Sequence, residues 1–134
     1  MPNTAPEQIH VAVGIILNVS GEVLIALRDQ DKHQGGLWEF PGGKVEAGES
    51  VSEALSRELH EELNLQVLSS SPLIEIEHNY GDKQVKLNVW QVDKFQGQAY
   101  GKEGQPIIWV GLENLQNYKF PEANLEIVSF LLGR

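Results

Sequence analysis

Two glutamates on the apolar face of a predicted helix carry the clearest chemical signal in this sequence. Residues 51–63 have helical periodicity, and at about 100° per residue Leu55 and Leu59 fall on one apolar stripe. Glu58 and Glu62 lie in the middle of that stripe. A carboxylate on an inward helix face is costly unless a positive charge meets it. Clustered carboxylates with few basic partners are the ligands that a hard divalent cation selects, so the pattern predicts a metal site.

A structural salt bridge is the simpler explanation for inward carboxylates, and the sequence offers little material for one. Arg57 is the only Lys or Arg between Val45 and Leu65, and the helical wheel places it well away from Glu58 and Glu62. An ordinary solvated acidic helix would instead carry its acids on the polar face. We therefore expect these carboxylates to meet a metal ion rather than a basic side chain.

Local signals predict where this helix begins and ends. Ser50 followed three residues later by Glu53 has the form of a capping box, so the helix should begin near Val51. Asn64 tolerates the left-handed backbone that terminates a helix. Gly42 and Gly43 precede the helix and predict a glycine loop in which the backbone can approach a ligand closely.

The spacing of these residues resembles a known motif. Gly43, five residues, Glu49, seven residues and then the run Arg57 to Leu65 look like the Nudix box, G-x5-E-x7-R-E-U-x-E-E-x-G-U, where U is aliphatic. Asn64 stands where the family has Gly, a change that affects helix termination more than chemistry. The resemblance implies an α/β fold, a Nudix-type α/β/α sandwich with a mixed β-sheet between helices. It also implies hydrolysis of a nucleoside diphosphate linked to another group.

Metal ligands follow from the resemblance, residue by residue. It implies Mg²⁺ as cofactor, with Mn²⁺ as a possible substitute, and Arg57 as the residue that orients the carboxylates by pairing with Glu53 and Glu61 one turn away. The general base is expected to be Glu58, with Glu49 and Glu103 as alternatives. The implied metal ligands are Glu58, Glu61, Glu62 and Glu103, together with the backbone carbonyl of Gly43.

Outside the motif the chain resembles the MutT-type 8-oxo-dGTP diphosphatases. The matching stretches are Ala12 to Ile16, Glu39 to Lys44, Trp90, Gly101 to Pro106, Phe120-Pro121 and Ala123-Asn124. Asn124 corresponds to an amide that reads the guanine edge, and Phe40 to a main-chain contact with the base. The substrate-binding residues implied are Arg28, His33, Phe40, Tyr80, Lys83 and Asn124. Tyr80 and Lys83 replace the Phe and Arg of that branch.

The implied reaction is attack of water on the β-phosphorus of a nucleoside triphosphate, assisted by two or more Mg²⁺ ions, which releases a nucleoside monophosphate and pyrophosphate. Two alternatives stay open. One is a CTP, pyrimidine or broad nucleotide pyrophosphohydrolase, and the other is a non-catalytic Nudix-fold sensor or lesion-binding module.

Composition limits the remaining classes of function. With 134 residues, the chain has the length of one domain, residues 1–134, of which 1–7 look like a loose lead-in. A net charge of −9 argues against nucleic-acid binding, and a phosphate substrate in an acidic protein requires metal ions. We expect no membrane span, no secretory signal, a monomer and a cytoplasmic location, the last consistent with the absence of cysteine.

The rest of the chain must supply the framework. Ile9 to Val19 and Val23 to Arg28 are predicted to be buried strands joined by a tight turn. Pro72 to Tyr80 and Val85 to Phe95 are predicted to form a hairpin, and Pro106 to Val110 another strand. A final helix is predicted from near Pro121 to Leu132, with Leu125, Val128, Leu131 and Leu132 on its inner face.

Overall fold

The computed structural model of the protein describes residues 7–28 and 36–133. Its strands are β1 (Glu7–Ile16), β2 (Glu22–Leu27), β3 (Trp38–Glu39), β4 (Gly42–Lys44), β5 (Gln66–Asn79), β6 (Lys83–Gln96) and β7 (Ile107–Gly111). Its helices are α1 (Val51–Leu63), a 3₁₀ turn (Leu112–Asn117) and α2 (Glu122–Leu132). Of the predicted lead-in, residues 1–6 lie outside the described ranges, and Glu7 already belongs to β1.

The strands form two sheets. The first has the order β4-β1-β6-β5, in which β1 and β6 are parallel and the other neighbours antiparallel, so the sheet is mixed as predicted. The second has the order β3-β2-β7 and is antiparallel. The predicted tight turn between β1 and β2 is present, with the Asn18 N–H donating to the Glu22 carbonyl at 3.0 Å. The two strands nevertheless enter different sheets, because β1 pairs with β6 along its whole length.

Alternation along β1 directs its side chains into two apolar cores. Val13 and Ile15 face one side and pack in a cluster with Ile127 of α2, whereas Ala12 and Ile16 face the other side with α1. Residues of α1 in this second core are Ala54, Leu55, Leu59 and Leu63. Helices therefore cover both sides of the strands, which is the predicted α/β/α sandwich.

Both ends of α1 match the sequence prediction. The Glu53 N–H donates to Ser50 Oγ at 3.1 Å, and the Ser50 N–H donates to Glu53 Oε1 at 2.9 Å, which completes the capping box. Asn64 ends the helix with φ 62° and ψ 28°, the left-handed conformation usually given to Gly. The departure from the motif at this position therefore leaves the helix end unchanged.

The inner face predicted for α2 is wrong in part. Leu125 and Leu132 are 47% and 38% exposed, whereas Val128 and Leu131 are buried as predicted. The buried stripe of α2 is instead built on the four-residue spacing of Ala123, Ile127 and Leu131, with Val128 beside it.

The long β5–β6 hairpin confirms the predicted one, although both strands begin earlier than expected. β7 also confirms the predicted strand near Pro106 to Val110. Within residues 7–28 and 36–133, neither helix has the length and apolar character required to cross a bilayer.

Candidate active site

Arg57 lies at the centre of a carboxylate cluster. Its Nε and Nη2 donate to the two oxygens of Glu49 at 2.7 and 3.0 Å, and its Nη1 donates to Glu58 Oε1 at 2.8 Å. The prediction that Arg57 lies well away from Glu58 is therefore wrong. The wheel gives only the direction of Cα–Cβ, whereas the long arginine stem carries the guanidinium across to the neighbouring position.

The bidentate contact fixes the charge of both partners. Hydrogen bonds from Arg57 and from the backbone of Glu46 lower the pKa of Glu49 to about 2. The same contacts with Glu49 and Glu58 raise the pKa of Arg57. Glu61 lies 3.4 Å from Arg57, as predicted, but Glu53 is occupied by the capping box, so the predicted Arg57–Glu53 pair is wrong.

Gly43 brings the backbone of β4 against Glu58. The predicted glycine loop is in fact this short strand, in which Gly43 pairs with Ala12 of β1. A Cβ atom built on Gly43 would lie 2.2 Å from Glu58 Cδ, so only glycine admits the carboxylate here. Arg57 Nη2 also donates to the Lys44 carbonyl at 3.0 Å, which joins α1 to the end of β4.

Glu62 is the most perturbed acid of the site. Burial raises its pKa to about 9, and its hydrogen bond with Glu58 and the charges of Glu58, Glu39 and Glu103 act in the same direction. Glu62 therefore holds a proton at neutral pH and shares a hydrogen bond with Glu58.

A loop over residues 100–105 closes the carboxyl end of α1. The Lys102 N–H and Gln105 Nε2 both donate to the Glu62 carbonyl, at 2.9 and 3.2 Å. The Tyr100 N–H donates to the Leu63 carbonyl at 3.2 Å. These bonds satisfy carbonyls that a helix end leaves unpaired and hold Glu103 close enough to act on Glu62.

The predicted metal ligands are only partly assembled. Glu61 is 57% exposed, Glu103 is exposed, and no three His, Asp or Glu side chains within the described residues converge as a metal-binding group. The donor chemistry nevertheless fits a hard cation. Glu58 and Glu62 are oxygen donors that share a hydrogen bond, and the Glu58 carboxylate lies against the backbone of Gly43 in the space that a Cβ would need.

A cleft of about 830 Å³ lies beside this cluster. The predicted site residues that line it are Arg28, Phe40, Gly43, Glu62, Tyr80, Lys83, Glu103 and Asn124. Four predicted residues, Glu49, Arg57, Glu58 and Glu61, do not line the cleft. His33 lies outside the described residues.

Asn124 and Phe40 are joined directly within the cleft. The Phe40 N–H donates to Asn124 Oδ1 at 3.2 Å, and the buried Phe40 ring stacks on Phe120 with centroids 5.3 Å apart. One acceptor position of the Asn124 amide is therefore used within the protein. Its two N–H donors and the second lone pair of its oxygen are the groups that can contact a ligand.

Sequence reasoning missed three cleft residues. Glu39 pairs with Arg28 at 3.0 Å, Lys44 lines the cleft at the end of β4, and Gln105 binds the Glu62 carbonyl. The signal for Glu39 and Lys44 was their place in the stretch Glu39 to Lys44, from which only Phe40 and Gly43 were assigned roles. Gln105 likewise lies in the matching stretch Gly101 to Pro106, from which only Glu103 was assigned a role, and its partner lies 43 residues away along the chain.

Comparison with known proteins gives one consistent result. A family profile described as NUDIX domain matches residues 12–129. The 8-oxo-dGTP diphosphatase of Escherichia coli (strain K12) is 38% identical over 125 residues, which are 93% of this chain and 97% of that protein. The CTP pyrophosphohydrolase of the same strain is 33% identical over 121 residues, 90% of each chain.

A solved structure shares the architecture as well. It comes from work on MutT from Aliivibrio salmonicida and Vibrio cholerae, and it is 40% identical to this chain, with a TM-score of 0.85. The match covers 95% of this chain and 98% of the other. The predicted fold class is confirmed by this similarity.

Proposed function

This chain belongs to the NUDIX domain family, and on that premise we propose that it is a metal-dependent hydrolase that converts 8-oxo-dGTP to 8-oxo-dGMP and pyrophosphate. Its role would be to remove the oxidised nucleotide before DNA replication incorporates it, and so to avoid mutation. The observation that carries the proposal is the cleft in which an amide, Asn124, and a half-buried carboxyl, Glu62, both lie. The Asn124 amide can form hydrogen bonds with a base, and the Glu62 carboxyl can bind a metal ion that contacts the phosphates.

The proposed cofactor is Mg²⁺, which Mn²⁺ could replace. Bound there, it would neutralise phosphate charge and lower the pKa of the attacking water. Its ligands would be Glu58, Glu61, Glu62 and Glu103, with the Gly43 carbonyl. Arg57 would act on them as a positioning residue, because it binds Glu49, Glu58 and Glu61 at once.

Glu58 is the proposed general base. Glu49 is a weaker candidate, because a pKa of about 2 leaves its carboxylate little tendency to accept a proton near neutral pH. Glu103 lies on the cleft and is the remaining alternative.

Asn124 is proposed to read the base, beside the main chain of Phe40. Arg28, oriented by Glu39, and Lys83 supply positive charge to the cleft for the phosphates or the outer part of the base. His33 is proposed to contact the nucleotide from the sequence resemblance alone.

A second substrate class has a specific observation in its favour. The relative named CTP pyrophosphohydrolase matches as much of this chain as most of the 8-oxo-dGTP diphosphatases do. From the sequence resemblance alone, Tyr80 and Lys83 are the positions that would favour a pyrimidine. A non-catalytic sensor is disfavoured, because the chain keeps Glu49, Arg57, Glu58, Glu61 and Glu62 together.

The deciding experiment measures kcat/KM for 8-oxo-dGTP, dGTP, dCTP and CTP with saturating Mg²⁺ and an EDTA control, and identifies the phosphate products. A preference of about a thousandfold for the oxidised nucleotide, or about 4 kcal/mol, is the expected result. Comparable rates on all four, or a pyrimidine preference, would reject the substrate assignment. If none of the four nucleotides is hydrolysed, the non-catalytic sensor would be the remaining hypothesis.

Gly43→Ala should reduce kcat by about a hundredfold or more. The new methyl group would occupy the space of the Glu58 carboxylate and displace it or β4. The measurement is kcat for 8-oxo-dGTP with a thermal melt. Gly133→Ala is the control, because a Cβ there meets nothing closer than 3.4 Å. Equal kcat in Gly43→Ala and the unmodified protein would remove Glu58 from the proposed site.

Binding of Mg²⁺ should release a proton near pH 8. Glu62 with a pKa of about 9 is still protonated at that pH, and a metal ion must displace the proton to use the carboxylate. Affinity for Mg²⁺ should therefore rise with pH up to about 9 and then level off. Calorimetry in buffers with different ionisation enthalpies measures the proton directly. Heats that do not depend on the buffer, or heats that still depend on it in Glu62→Gln, would contradict the assignment.

We further propose that residues 1–134 form one domain that acts as a monomer in the cytoplasm, where its nucleotide substrates occur. Nucleotides are its expected partners, and the net charge of −9 supports the proposal that it does not bind nucleic acid.

A further inference from the structure

The first turn of α2 carries Asn124, yet this turn has no local cap. Pro121 occupies the N-cap position and makes no side-chain hydrogen bond to the helix. A helix leaves its first N–H groups without internal partners, and Ser, Thr, Asp or Asn usually supplies an acceptor at the N-cap. Proline has no such oxygen. Any side-chain acceptor for the first turn of α2 must therefore come from elsewhere in the fold.

The end of β5 supplies these contacts. The Ala123 N–H donates to Tyr80 Oη at 3.3 Å, and His78 Nε2 lies 2.9 Å from Glu122 Oε2. His78 and Tyr80 are two residues apart, so their side chains project to the same side, and their ring centroids are 4.3 Å apart. A tyrosine hydroxyl thus takes the place of the missing N-cap acceptor.

The residue that follows Ala123 is the proposed base reader. Asn124 Oδ1 accepts from the Phe40 N–H at 3.2 Å, so the first turn of α2 is held by Tyr80 at one residue and by Phe40 at the next. A shift of the turn would move the Asn124 amide relative to the cleft that it lines.

We propose that Tyr80 is a positioning residue for nucleotide selection, whose hydroxyl caps α2 from outside the helix and thereby fixes the Asn124 amide. The inference rests on the proposed function, since it takes Asn124 as the base reader. It gives Tyr80 a role that depends on its hydroxyl.

The test starts from Tyr80→Phe, which keeps the ring and removes only the oxygen. The Ala123 amide of the nucleotide-free protein should exchange hydrogen faster, and KM for 8-oxo-dGTP should rise about fivefold with kcat nearly unchanged. Tyr100→Phe is the matched control, because it removes the same atom from a residue that is 51% exposed. It should change neither hydrogen exchange at Ala123 nor KM for 8-oxo-dGTP.

Restoring a local cap separates positioning from direct contact with the nucleotide. Pro121→Ser places a hydroxyl at the N-cap, where φ −61° and ψ 158° suit a capping residue. In that background Tyr80→Phe should have little effect on KM or on amide exchange. If the rise in KM is as large in the Pro121→Ser background, the hydroxyl contacts the nucleotide directly and the proposal is wrong.

Two further outcomes would also overturn it. One is unchanged exchange at Ala123 in Tyr80→Phe, and the other is faster exchange with no change in KM. Failure of the proposed function is distinguishable, because it would appear as the wrong substrate preference in the unmodified protein. The exchange result needs no substrate, and KM can be measured with whichever nucleotide is preferred.

Discussion

Glu62→Gln is expected to lower kcat by about a thousandfold or more while making the metal-free protein more stable at alkaline pH. The loss of activity follows from removing a carboxylate that is proposed to hold Mg²⁺ against the substrate phosphates. The gain in stability follows from removing a half-buried carboxyl group that lies beside Glu58 and close to the charges of Glu39 and Glu103.

The pH dependence of that stability has a definite sign. The ordinary pKa of Glu62 is 4.5, and in the folded protein it is raised to about 9. Between these values the folded state keeps a proton that the unfolded state has lost, so stability falls as pH rises through this window. Glutamine does not ionise. Glu62→Gln should therefore match the unmodified protein near pH 4 and exceed it by several kcal/mol near pH 9, since stability falls by about 1.4 kcal/mol per pH unit within this window.

Denaturant unfolding in EDTA at several pH values, together with kcat at pH 8, measures both effects. Glu77→Gln is the matched control, because it makes the same change at an exposed site on β5. Unimpaired turnover in Glu62→Gln would remove this residue from the metal site. Equal stability of the two proteins at pH 9 would instead show that Glu62 is not held in its protonated form.

The helix that carries Glu62 could be predicted from the sequence because its determinants are local. Ser50, Glu53 and Asn64 act on backbone groups within a turn of themselves, and the apolar stripe follows from spacing alone. The β5–β6 hairpin was predictable for the same reason, since its turn at Gly81 joins strands that are adjacent in the chain.

Contacts between distant parts of the chain were not predictable in this way. The parallel pairing of β1 with β6 joins residues more than 70 positions apart, and nothing in either strand specifies its partner. The cap of α2 is similarly remote, since Tyr80 and Ala123 are 43 residues apart. Tyr80 could be recognised as a cleft residue from its family resemblance, but its hydroxyl acquires its partner only when the sandwich is assembled.

The Arg57 cluster shows a different limit. A helical wheel represents each side chain by one direction, and the guanidinium of Arg57 reaches beyond it to Glu58. The helical wheel therefore gave the wrong partner for Glu58, whereas the roles predicted for these carboxylates remain proposals. Glu62, which Arg57 does not contact in the described hydrogen bonds, is the acid that retains a proton.

Asn124→Asp is expected to reduce kcat/KM for 8-oxo-dGTP by about a hundredfold or more and to affect pyrimidine nucleotides less. Aspartate keeps the size of the side chain and can still accept from the Phe40 N–H. It has no N–H donors, so a base group that paired with the amide would face a carboxylate instead. An acid in the first turn of a helix is favourable, so folding should be preserved.

Kinetics on 8-oxo-dGTP, dGTP, dCTP and CTP, with a thermal melt of each variant, test this expectation. Asn117→Asp at an exposed site is the matched control, because it adds the same charge outside the cleft. If the selectivity of Asn124→Asp equals that of the control, the base is read elsewhere, and Tyr80 would lose its proposed effect on substrate choice even if it caps α2. If kcat/KM falls for 8-oxo-dGTP but not for dCTP or CTP, the N–H donors of the Asn124 amide distinguish the oxidised purine from the pyrimidines. The substrate selectivity of the cleft would then depend on one side chain, Asn124, which lies in the first turn of α2 and is hydrogen-bonded to Phe40.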